Sequence, residues 1–142
     1  MDVLSLLQNK KRCLRHLLAL SEGFAELAEQ GNLSSLNLFE TQREGVFKAL
    51  AMFDRKLTAA VQALSAEERT PDLSLGARRS LEDEAFLVQS ILNADNRILK
   101  AIEGEKARLT REMNSAQKSK ELAGRFKSSW IAESGEELDR KV

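Results

Sequence analysis

A chain of 142 residues with 42% hydrophobic and 31% charged side chains has material for one domain with a core, and little for two. Its 22 Lys and Arg balance 22 Asp and Glu, so no net charge draws it to nucleic acid or an anionic membrane. A single cysteine, Cys13, excludes an internal disulfide, and no apolar run reaches the length of a membrane span.

The apolar content is mostly Leu and Ala, with no Tyr and one Pro, which favours helices over sheets. Met1 to Arg15 has no uninterrupted apolar run before its basic cluster Lys10, Lys11, Arg12 and Arg15, an order that is the reverse of a signal peptide, so a cytoplasmic protein is expected.

The first predicted helix runs from about Asp2 to Gln30, with Val3, Leu7, Leu14, Leu17, Leu20, Phe24 and Leu27 on one face. Lys10 interrupts that stripe. Gly31-Asn32 ends the helix, because Gly takes the left-handed conformation a helix end needs. A second helix is predicted from near Leu33 to about Leu64, on the row Leu36, Phe39, Arg43, Val46, Leu50, Phe53, Leu57, Ala60 and Leu64. Leu50, Phe53 and Leu57 are expected to be buried. Arg43, the one polar member of the row, is expected to pair with a carboxylate or reach water, with Glu40 as the nearest candidate.

Ser65 to Gly76, with Pro71, is the main expected break. A third helix is predicted to start at Ser80 as cap, with acids in its first turn. Its apolar row is Ala85, Val88, Leu92, Ile98, Ile102, Leu109 and Met113, and Asn93, Asp95 and Asn96 are polar groups in mid-helix that need partners. The predicted fold is all-α, an antiparallel bundle of three long helices, with a short fourth C-terminal helix allowed at Glu121 to Trp130. Residues 1–127 form the helical bundle domain and 128–142 a flexible C-terminal tail.

No catalytic residue, cofactor or metal site is expected. With His16 the only histidine, multi-imidazole metal sites and a Ser-His-Asp set lack support. A phosphotransfer bundle would want a basic residue and a glycine three and four places after its histidine, where this chain has Ala19 and Leu20. Cys13 reads as a small hydrophobe beside the apolar stripe, and the scattered glycines build no phosphate loop.

One segment reads as a docking surface. Lys106, Arg108, Arg111, Lys118, Lys120, Arg125 and Lys127 outnumber Glu112 and Glu121 on a stretch that also carries apolar side chains. The expected partner-binding residues are Leu109, Met113, Leu122, Phe126, Trp130 and Ile131, apolar anchors inside a cationic rim that steers an acidic partner. A third segment this long either folds back, placing Phe126 and Trp130 in the core, or leaves them open to a partner. On the residues alone, a structural helical-bundle adaptor or regulator with an unrelated protein partner satisfies these features.

A family resemblance adds a second reading. Leu17-Leu18-Ala19-Leu20-Ser21-Glu22 through Ala28-Glu29-Gln30-Gly31-Asn32, then Leu36, Glu40, Arg43 and Leu50, resembles the front half of flagellar export chaperones of the FliT and FlgN type. The match includes the element Glu40-Thr41-Gln42-Arg43 and extends to Ile91-Leu92-Asn93-Ala94-Asp95-Asn96-Arg97-Ile98-Leu99. It ends at Gly124-Arg125-Phe126-Lys127, with Phe126 where the family pattern has Tyr. The resemblance implies a cytoplasmic, non-enzymatic and ATP-independent chaperone. Such a protein binds the C-terminal helical segment of a hook-associated or cap protein and delivers it to the type III export apparatus. It is expected as a monomer or homodimer, without nucleic acid and without a membrane span.

Overall fold

The computed structural model describes residues 2–141, and side chains through residue 127. The chain is all-α: α1 spans Val3–Glu29, α2 Leu36–Gln62 and α3 Pro71–Lys141. No strand occurs among the described residues.

Each boundary has a local cause. Asp2 caps α1 by accepting a 2.7 Å bond from the Ser5 backbone N–H. That bond holds the Asp2 carboxyl below the usual carboxylate range. Gly31, at φ 80°, closes the end of α1, and its N–H donates to the Ala28 carbonyl at 2.9 Å. Asn32 then accepts bonds from the Ser34 N–H and hydroxyl, folding the short link that reverses the chain into α2.

Between α2 and α3, Ser65 and Glu68 bond reciprocally, side chain to backbone N–H, at 3.1 and 3.2 Å. Thr70 then caps α3 through the Leu73 N–H. Pro71 occupies the first helical position and Asp72 adds an acid to the first turn. The expected start at Ser80 is therefore corrected to Pro71. A proline at the first helical position loses no hydrogen bond and has its φ already set, so it opens the helix that it would break from inside.

The chain divides into two compact units, Met1–Ile102 and Glu103–Val142. The boundary expected from sequence at 127 falls inside α3, which continues unbroken to Lys141. The residues allowed for a separate fourth helix, Glu121 to Trp130, are likewise part of α3. Residues 128–141, expected as a tail, have helical backbone.

In the first unit α1 and α2 form an antiparallel hairpin, and the 71–102 part of α3 lies along both. One core cluster joins Phe24, Ala25 and Ala28 of α1, Phe39 of α2 and Ile98 of α3. Phe24 and Phe39 stack with ring centroids 4.5 Å apart. A second cluster joins Leu14 and Leu17 with Val46 and Ile91.

Two readings of the core faces need correction. On α2 only Phe39 and Val46 are buried; Leu50, Phe53 and Leu57 are half-buried, with Leu50 at the edge of the second core cluster. On α3 the buried row is Ser80, Glu84, Ile91, Ala94 and Ile98, while Ala85, Val88 and Leu92 are exposed. The core-facing row thus lies about one residue, roughly 100° of helix, from the row with the most leucines.

Candidate partner-binding surface

Polar contacts set how the three helices of the first unit register against one another. Arg43 of α2 grips Asp95 of α3 with two parallel bonds, Nη1 to Oδ1 at 2.7 Å and Nη2 to Oδ2 at 2.8 Å. Its guanidinium also lies over the Phe39 and Phe47 rings, 5.9 and 5.1 Å from their centroids. Arg43 does pair with a carboxylate, but with Asp95 rather than Glu40. The planar fork needs a carboxylate facing it across the helix interface, whereas Glu40 is exposed on the helix surface.

Lys10, which breaks the α1 stripe, bridges Asp54 at 2.7 Å and Glu84 at 3.4 Å, so one ammonium ties all three helices. Burial alone pulls the Lys10 pKa down, but the bond to Asp54 and the two carboxylate charges outweigh it, and the net shift is upward. Lys11 meets Asp83 at 3.2 Å, and Arg97 pairs with Glu29.

The second unit carries the predicted docking residues. Met113 is 71% and Phe126 73% exposed, and Leu109 and Leu122 are exposed as well. The side chains of Trp130 and Ile131 lie outside the described residues. Within its own unit Phe126 is exposed rather than core. Because α3 is one helix of 3.6 residues per turn, it sorts these residues into two pairs. Leu109 and Met113 share a face, as do Leu122 and Phe126, each four residues apart. The step from Met113 to Leu122 continues the same helix, and at 100° per residue it sets the second pair roughly 140° around the helix from the first. The helix therefore offers two small apolar patches on different sides.

The basic excess is partly spent at the first patch. Arg108 bonds Glu105 and also reaches Glu112 at 2.5 Å. The Glu105 carboxyl is correspondingly held below its ordinary range by the Arg108 guanidinium. Lys118, Lys120, Arg125 and Lys127 are exposed and make no ion pair among the described residues. Lys106 and Arg111 near the first patch are likewise exposed and make no ion pair among the described residues, so the unpaired cations run along the segment, four of the six beside Leu122 and Phe126.

Two surface features of the first unit were not expected from sequence. A hollow of about 230 Å³ lies between α1 and α2, lined by Leu20, Phe24, Leu27, Leu38 and Phe39 around Gly23. A row of exposed leucines also runs along α3. His16 is exposed and Cys13 half-buried, side by side in a second, open hollow on the same pair of helices. Among the described residues no group of three His, Cys, Asp or Glu is placed to hold a metal ion, and no helix is long and apolar enough to cross a membrane.

No protein-family model matches the chain, and neither does any curated protein or solved structure. The likeness to export chaperones rests on the residues quoted for it.

Proposed function

We propose that this protein is a non-enzymatic export chaperone that binds the C-terminal helical segment of a flagellar hook-associated or cap protein and hands it to the type III export apparatus. The observation that carries this reading is the exposure of Leu122 and Phe126 on a helix whose nearby cations Lys118, Lys120, Arg125 and Lys127 make no ion pair among the described residues. Large apolar groups kept in water beside free Lys and Arg suit an amphipathic helix with acidic flanks. The pairing of Arg43 with Asp95 adds support, because it joins two of the segments on which the family resemblance rests.

A client segment that is disordered when free loses entropy on ordering, so the expected affinity is moderate and release at the export apparatus costs little. The test is titration calorimetry of the full chain against synthetic C-terminal segments of the hook-associated and cap proteins from the same organism. One segment should bind, and the Leu122→Ser, Phe126→Ser double variant should lose that binding while its melting temperature stays unchanged. Silence from every such segment, with tight capture of an unrelated protein, would favour the adaptor reading instead.

A further inference from the structure

The row Leu81, Ala85, Val88, Leu92 and Leu99 is spaced four, three, four and seven along α3, the repeat of a coiled-coil seam. The three-helix core does not use it. Leu81 and Leu99 are each 56% exposed, Leu92 49% and Val88 44%, while the adjacent row buries Ile91, Ala94 and Ile98. One helix thus carries two apolar faces, and its own fold covers only one of them.

The exposed row is self-complementary when reversed. Measured along the helix from the level of Ser90, Leu81 and Leu99 lie nine residues to either side, and Val88 and Leu92 two residues. An antiparallel copy in that register sets Leu81 against Leu99 and Val88 against Leu92, twice each. The remaining layer sets Ala85 against Asp95. Asp95 is already neutralised by Arg43 at 2.7 Å, and the small alanine leaves that ion pair room. The charges agree with the register. Glu82 and Lys100 are exposed, make no ion pair among the described residues, and sit on the same flank of the row at nearly matched distances from its centre. Reversal brings Glu82 of one copy beside Lys100 of the other, again twice.

We infer that this row is the seam of an antiparallel homodimer, the second copy of this chain covering α3 from Leu81 to Leu99. The seam is separate from the docking residues of the second unit, and the inference does not depend on the chaperone reading. An interface this narrow belongs with the small ones, below about 1,200 Å² in total, the size class of weak and transient pairs, and the expected dissociation is in the micromolar range.

Sedimentation velocity of the full chain, over a concentration series that spans the micromolar range, tests it. The wild type should pass from monomer to dimer as concentration rises. Leu92→Glu should weaken association by about tenfold or more with the circular-dichroism melting curve unchanged, since Leu92 lies outside the core. Glu82→Lys and Lys100→Glu should each weaken self-association, and an equimolar mixture of the two variants should dimerise, because each then supplies the charge the other lacks. A chain that stays monomeric throughout overturns the inference. So does a dimer that survives Leu92→Glu, or a mixture of charge variants that fails to associate.

Discussion

The two faces of α3 in the first unit invert the usual association of leucine with the interior. The buried face is made of Ser80, Glu84, Ile91, Ala94 and Ile98; the open face has Leu81, Val88, Leu92 and Leu99. What distinguishes the buried face is fit: Ala94 lets the helices approach, Ile98 fills the space at the stacked Phe24 and Phe39, and Glu84 meets Lys10. Shape and charge matching choose the core-facing side, and bulk apolarity is left for another surface.

The sharpest way to test that contrast is a pair of neighbouring truncations. Ile98→Ala should cost roughly 2–5 kcal/mol, because it opens a cavity in a closed cluster. Leu99→Ala, one residue on, should change monomer stability by no more than about 0.5 kcal/mol. Urea unfolding at low protein concentration reads both, and equal losses would mean that the two faces are not energetically distinct. Next in size is Arg43→Ala, which leaves the partly buried Asp95 carboxylate without its fork and should cost about 1–3 kcal/mol. Asp95→Asn, which keeps an acceptor, should cost less; the same unfolding curves rank the two.

The smallest effect is one of pH. Lys10 has its pKa raised in the folded protein from 10.5, so its contribution is fully present below that value and is lost as pH climbs through the higher folded value. The melting temperature of the wild type should therefore fall more steeply above pH 10.5 than that of Lys10→Met, in matched thermal scans.

The number of helices and much of the inner face of α1 can be read from the sequence because both depend on near neighbours, although Leu27 of the expected row is exposed. Leu14, Leu17 and Phe24 recur at helical spacing and are buried, and Gly31 marks the turn that follows. The start of α3 is harder. Pro71 looks the same in sequence whether it breaks a helix or begins one, and only the Thr70 cap with the Ser65–Glu68 pair separates the cases. The face of α3 is harder still, since its open row has the cleaner heptad and its buried row contains Ser80 and Glu84. Arg43 and Asp95 each stand out as polar residues in apolar company, but 52 residues separate them, and local spacing offers only Glu40. At the candidate partner surface, residue type and charge are legible from Leu109 to Phe126. The division into two patches follows once the nine residues after Met113 are known to be continuous helix.

The tight reversal at Gly31 also shapes the order in which the molecule is made. Contacts between α1 and α2 start close to the turn, with Phe24 stacked on Phe39 only 15 residues later, so the hairpin can close from that end before α3 is made. Lys11 must wait for Asp83, 72 residues later, and Arg43 for Asp95. During synthesis at about 5–20 residues per second, the hairpin stands for some seconds with Leu14, Leu17 and Val46 lacking their cover from Ile91. The cover that ends that interval begins at Thr70 and Pro71, whose cap and fixed φ lower the cost of starting α3 there.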